Sequence, residues 1–196
     1  MKKFIVTMIA LTSITAFAQT YSVDSSSSKI VYVGKKVTGE HTGSITLKSG
    51  SLSFKGDTIT AGEFVADMNS LTSTDITDKE YNAKYVSHMK SPDFFNTEKH
   101  PESKLVIKSS KKTDKGLEVT GTLTMLGETK PVTFVVTDLK KTDAGVTGKS
   151  NLTLNRTQWG LKYGSTSFFK GLGDKAINDE FTLAVELSAK PTTAKQ

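Results

Sequence analysis

From Leu117 to Val136 the chain alternates with a period of two. Leu117, Val119, Leu123 and Met125 share one parity with Gly121, while Thr120, Thr122 and Thr124 take the other, and Val132, Phe134 and Val136 resume the alternation after a turn at Gly127 to Pro131. Such patterning predicts two antiparallel strands, each with one dry and one wet face. The same grammar predicts strands over Tyr21–Asp24, Lys29–Val37, Ser44–Leu47, Leu52–Phe54, Thr58–Met68, Lys104–Lys108, Val146–Arg156 and Ala176–Ser188, with Val132 running on to Leu139. The serine run Ser25–Ser28 reads as a turn, and so do Ser49-Gly50, Gly56-Asp57, Thr113–Gly116 and Thr142–Gly145. Gly62 breaks its strand's alternation and predicts a bulge beside it. One segment departs from the pattern. Thr77-Asp78-Lys79-Glu80 has the form of a capping box, Tyr81, Tyr85 and Met89 fall on one helical stripe, Glu80 and Lys84 can pair, and Pro92 lies just beyond. The expectation is an all-β domain with one short helix. Roughly eight strands or slightly more make an antiparallel eight-stranded β-barrel, filled by side chains or holding one small ligand.

The ends fall outside that domain. Lys2-Lys3, the apolar run Phe4–Ala16 and Ala16-Phe17-Ala18 have the form of a secretory signal peptide over residues 1–18, cleaved after Ala18. The run is short for a membrane span. A barrel domain over 19–189 and a frayed polar tail over 190–196 follow, and the expected product is exported and soluble. Zero cysteines exclude disulfides, thiol catalysis and thiolate metal sites. The net charge of +6 becomes +4 without Lys2 and Lys3, and Arg156 is the single arginine. Lysines scattered over strands solvate the outer face, so no nucleic-acid partner is expected. Alternation alone does not separate a soluble barrel from an outer-membrane one. A single Trp, no paired aromatic girdles and the inserted helix favour the soluble form, with no stable membrane insertion. A homodimer stays open, since soluble oligomers are commonly two-fold.

The inward parity carries Leu123, Phe134, Leu152, Leu154, Phe181, Leu183 and Val185, either a packed core or the wall of a tunnel. Tyr81, Tyr85 and Met89 would cap the sheet or line an entrance, and Phe94-Phe95 would form a plug after the helix. Trp159 to Phe169 is a Gly-spaced aromatic loop, with Leu161, Tyr163 and Phe168, that suits binding or plugging. Arg156 shares parity with Leu152 and Leu154 and needs a partner, either an ion pair with Asp174 or Asp179 or a ligand head group. Gly171–Ala176 mimics a dinucleotide loop but lacks the strand-to-helix context and the later acid. His41, His88 and His100 have no zinc spacing, and no nucleophile-base signature is visible, so neither a metal nor an enzyme is expected.

The segment His88-Met89-Lys90-Ser91-Pro92-Asp93-Phe94-Phe95 resembles the helix exit of the YceI-like family. Further matches follow in order: Tyr21–Asp24, Asp67–Leu71 with Thr74, His100-Pro101, Val119–Gly127 with Lys130-Pro131-Val132, and Leu154-Asn155-Arg156. Gly34 to Gly43 departs from the family pattern in carrying more Lys and Gly. The resemblance implies a periplasmic lipocalin-like barrel whose interior takes a long apolar molecule, a polyisoprenoid or isoprenoid quinone, with no cofactor beyond that lipid. The alternative is a filled barrel acting as a structural or stress-related interaction protein.

Overall fold

The computed structural model describes residues 18–192, so residues 1–17 of the expected leader and the last four residues of the expected tail lie outside the described part. In chain order the elements are β1 (Gln19–Val23), β2 (Lys29–Lys36), β3 (Gly39–Lys55), β4 (Thr58–Asp67), α1 (Lys79–Lys90), β5 (Glu102–Thr113), β6 (Gly116–Met125), β7 (Glu128–Thr142), β8 (Gly145–Asn155) and β9 (Ile177–Pro191). All pairings are antiparallel, in the order β3-β2-β9-β8-β7-β6-β5-β4, and β4 returns to β3 to close the barrel. The first two strands share one stave. β1 pairs Tyr21 with Leu52 and β2 pairs Tyr32 with Gly43, both against β3 and both also against β9. The serine turn interrupts that stave without redirecting it, and eight staves result. Closure removes the free sheet edges.

Where the sequence alternation breaks, the structure places bulges rather than turns. Ser49-Gly50 is not a turn: β3 runs unbroken through it, and the register jumps from Leu47–Ala66 to Ser49–Val65, leaving Lys48 extra. An extra residue resets side-chain parity within a continuous strand. Leu47 and Leu52 therefore both face inward although their numbers differ by five. A second slip makes Thr60 extra close to Gly62, as expected there. In β7 the pairing passes from Thr137–Lys149 to Lys140–Thr147, with Asp138 at φ 50°, and this turns Leu139 inward after Val136.

Three further boundaries differ from expectation. The β6–β7 turn is only Leu126-Gly127, at φ 53° and 79°, because two left-handed residues match the twist of the flanking strands. Pro131 consequently lies within β7, opposite Thr122. The helix cap is Asp78 rather than Thr77, its carboxylate accepting from the Tyr81 N–H at 2.8 Å. Lys190 and Pro191 are not frayed: they pair with Ser22 and Tyr21 in β1.

That junction carries a pH signature. Lys190 Nζ lies 2.7 Å from Asp24 and the Ser26 hydroxyl donates to the same carboxylate at 2.6 Å; together they hold it well below the usual carboxylate range. Lys112 acts likewise on Asp57, and Lys149 on Glu186. A depressed folded-state value stabilises fully above the unfolded value, about pH 4, and the contribution is lost as pH falls through the folded value. Melting temperature should hold steady from neutral pH to about pH 5 and drop steeply below pH 4. Asp24→Asn should lower the neutral-pH melting point and flatten the acid limb in a circular-dichroism pH series.

Candidate binding site

Two packed clusters leave a hollow between them. At one end of the barrel, Tyr21, Phe54, Val119 and Ala189 are at most 1% exposed and form a floor, with the Tyr21 and Phe54 rings edge to face at 5.6 Å. Toward the other end, Met125, Val132, Leu152, Leu154 and Trp159 form a second cluster. The cavity that runs through the barrel measures about 270 Å³, and the surface its lining residues expose to it is almost wholly apolar. That lies near the lower end of ordinary small-molecule sites, about 300–1,000 Å³.

The inward parity builds the wall. Leu123 from β6, Phe134 from β7, Leu152 and Leu154 from β8, and Phe181, Leu183 and Val185 from β9 all face the cavity. Alternation in β8 is complete, with Val146, Gly148, Ser150, Leu152 and Leu154 buried and the residues between them exposed. The pattern also contributes Ile30 and Tyr32 of β2, Leu47 of β3 and Leu105 and Ile107 of β5, which the sequence reading did not single out. Their signal was the same inward parity, obscured in β3 by the bulge.

The helix lies across the mouth and buries none of its residues completely. Asn82 Nδ2 anchors it by donating to the carbonyls of Ser73 and Ile76, at 3.1 and 2.8 Å, and Lys90 Nζ donates to Asn69 O at 2.7 Å. Of its expected stripe, Tyr85 and Met89 face the cavity, whereas Tyr81 is outside it and half exposed. Tyr81 lies one helical turn before Tyr85, at the outer edge of the mouth, with its ring 6.4 Å from that of His41. Phe94 and Phe95 turn inward after the helix and join the wall. The backbone doubles back there, with N–H groups of Phe95, Asn96 and Thr97 donating to the carbonyls of Met89, Ser91 and Lys90.

The loop after β8 divides between inside and outside. Trp159 is buried, but it stands behind the wall rather than in the cavity, and its indole N–H donates to Leu123 O at 3.0 Å. Leu161 reaches the cavity. Phe168 does not: it lies on the surface, with Lys162 Nζ 4.7 Å above its ring. The indole's single polar atom fixes Trp159 against a backbone carbonyl, while Phe168 has only the Lys162 side chain over its ring and stays half exposed. Position in a loop does not encode that distinction.

Arg156 ends the wall in a short 3-10 turn rather than in the strand. Its guanidinium is buried and donates to four backbone carbonyls: Asn178 at 2.9 Å, Leu161 at 2.9 Å, Tyr163 at 2.8 Å and Ile177 at 3.0 Å. Asp179 lies 3.7 Å away and supplies the counter-charge, while Asp174 is exposed. Burial opposes ionisation of Asp179, yet the Ser165 and Ser167 hydroxyls and the Arg156 charge keep its carboxyl below the usual range. With its donors committed to the chain, Arg156 ties the loop to β9.

A polar group that the sequence reading missed sits at the mouth. The Tyr32 hydroxyl donates to Thr72 O at 2.7 Å, and His41 Nδ1 lies 2.8 Å from Asp75, which also accepts from the Thr42 N–H at 3.0 Å. The His41 and Tyr85 rings are 4.6 Å apart. Burial pushes both the Tyr32 and Tyr85 phenols up, so they remain neutral donors at physiological pH. Gly43 makes this close approach feasible, since a Cβ there would collide with the Thr72 carbonyl and the Tyr32 phenol. Gly43→Ala should destabilise the fold by about 2–3 kcal/mol. Gly34→Ala, where the added carbon meets open space, should change it by less than about 0.5 kcal/mol, with urea titration of both variants as the measurement.

Among the described residues no three His, Cys, Asp or Glu side chains converge on a metal position, and no helix is long and apolar enough to cross a membrane.

Known proteins share this architecture. BcnA of Burkholderia cenocepacia superposes with a TM-score of 0.67 at 23% identity, over 86% of this chain and 99% of that one. A polyisoprenoid binding domain from Saccharophagus degradans, implicated in plant cell wall breakdown, gives 0.64 at 17% identity, over 88% and 98%. At such identities the likeness is one of fold. A Pseudomonas putida protein named UPF0312 is 53% identical over 51 residues, 26% of this chain, and the match spans only 27% of that relative. The YceI-like domain model matches residues 21–189, from the first strand of the barrel almost to the end of the last, and the chain therefore belongs to the YceI-like family.

Proposed function

We propose that this protein is an exported, periplasmic binding protein that holds a long apolar molecule, a polyisoprenoid or an isoprenoid quinone, as a carrier or store. The observation that carries this reading is the continuous apolar cavity along the barrel, floored at one end and roofed by α1 at the other. The binding named in the Saccharophagus domain's description supports the ligand class. The leader-like segment Lys2–Ala18 supports the compartment. Burying apolar surface contributes about 25 cal/mol per Å², so a few isoprene units supply several kcal/mol before ordering entropy takes part of it back. Micromolar affinity then requires neither an ion nor a covalent bond.

Native mass spectrometry of protein taken from the periplasm should show a co-purifying apolar adduct. Titration with a quinone should quench Trp159 saturably, because the indole stands one side-chain layer behind the cavity wall. Repeated isolation of empty protein that takes up neither quinones nor prenols would overturn the proposal.

A further inference from the structure

Every large hydrophobic side chain that is strongly exposed among the described residues lies at the mouth end of the barrel: Val37 at 64%, Tyr81 at 50%, Phe169 at 49%, Phe168 at 48% and Tyr163 at 43%. They come from three separate segments, the β2–β3 turn, α1 and the β8–β9 connection, and the fold joins these into one rim. The Val37 N–H donates to Ala176 O at 3.2 Å, and the Tyr163 ring stands 5.0 Å from His88 of α1. Lysines are interleaved with them. Lys35 and Lys36 precede Val37, and Lys162, Lys170 and Lys175 accompany the aromatic loop, against Glu40, Asp174 and Glu180, while around Tyr81 Lys79 and Lys84 stand against Asp75, Asp78 and Glu80. The far end carries at least as much positive charge, with Lys55, Lys111, Lys112, Lys115, Lys140 and Lys141 against Asp57, Asp114, Glu118 and Asp143, but among the described residues no strongly exposed large hydrophobic residue. Charge alone therefore does not set the mouth apart. The combination with bare aromatics does.

We propose that this rim docks the protein onto the surface of a bilayer containing anionic phospholipid, with the mouth of the cavity facing the membrane. Phe168, Phe169 and Val37 would enter the boundary between head groups and acyl chains, Tyr163 and Tyr81 would lie at head-group level, and the lysines would meet lipid phosphates. The purpose of the docking rests on the lipid-binding reading above: a polyisoprenoid resides in a bilayer and crosses water only at great cost, so a mouth pressed to the membrane gives it an apolar route. The rim itself is an independent observation.

The test is cosedimentation of the full chain with phosphatidylcholine vesicles, with and without phosphatidylglycerol. Binding should require phosphatidylglycerol and weaken with salt. Phe168→Ser with Phe169→Ser should reduce it about tenfold or more, Val37→Ser on a different segment should reduce it a few-fold, and Lys111→Glu with Lys112→Glu at the far end should leave it largely unchanged. All of these positions are exposed, and unchanged melting temperatures would show that the variants fold. Vesicle binding that is absent at low salt, unaffected by the rim variants or equally reduced by the far-end pair would overturn docking. So would a rim-dependent dimer in sedimentation velocity without vesicle affinity, which would assign the rim to a second copy. Quinone uptake from detergent separates the two readings. The Phe168/Phe169 variant should retain it if the cavity holds lipid, whereas a wild-type chain that docks but takes up no quinone would overturn the cavity reading and leave docking standing.

Discussion

Replacing Leu183 with Trp should abolish uptake of a long apolar molecule while leaving the barrel folded. Leu183 pairs with Tyr32 on one side and Leu152 on the other, and its side chain faces the cavity midway along β9. In a packed core the larger side chain would force neighbours off their rotamers, at about 1–3 kcal/mol. In a hollow barrel the indole enters empty space and gains dispersion contacts, so stability should change by less than about 1.5 kcal/mol. The same indole obstructs a channel of about 270 Å³. Affinity should fall at least about tenfold, equivalent to about 1.4 kcal/mol. Because the variant carries a second Trp, adduct formation in native mass spectrometry is the suitable measurement, with melting temperature alongside. A lower melting point with unchanged binding would mean that Leu183 packs in a filled interior and that ligand lies elsewhere.

Loss of Arg156 should be the most destabilising single change. Removing its side chain leaves four carbonyls without their donor and Asp179 without its counter-charge, in a largely buried region. Breaking such a buried charged network typically costs about 3–5 kcal/mol. For a domain of this size Arg156→Ala should lower the melting temperature by roughly 10 °C or more. Arg156→Lys keeps the charge but has no planar fork to reach Asn178 and Ile177 on one side and Leu161 and Tyr163 on the other, so it should recover only part of the loss. Both variants, assayed below their melting points, should bind quinone close to normally. Normal stability in Arg156→Lys combined with lost binding would instead make the guanidinium a head-group contact.

The barrel was legible because its signal is local and repeated. Alternation in β6, β8 and β9 identifies inward residues directly, since a strand turns its side chains over with period two whatever it packs against. The interior positions Leu123, Phe134, Leu152, Leu154, Phe181 and Leu183 follow from that period. It fails at the bulges: Lys48 and the Asp138 region flip parity through pairing with a distant strand, and a run such as Leu47–Leu52 does not distinguish a bulge from a turn.

The aromatic candidates show a different limit. Tyr81 and Tyr85 share one stripe, yet only Tyr85 faces the cavity, because the position of the helix end over the rim separates them. Trp159 and Phe168 share one loop, yet one is fixed behind the wall by a hydrogen bond to Leu123 and the other stays half exposed on the surface. The His41, Asp75 and Tyr32 group was invisible for a related reason. Its members lie on three segments up to forty-three positions apart, and only the close approach at Gly43 brings them together.

By itself, then, the sequence determined the fold class, the helix insertion and the facing of most strand residues, because backbone pleating and capping act over a few neighbouring residues. Whether inward side chains meet or leave a hollow, which strand end carries the mouth, and which aromatics rim it were decided only in three dimensions. Barrel diameter, bulge placement and loop packing are set jointly by strands far apart in the chain.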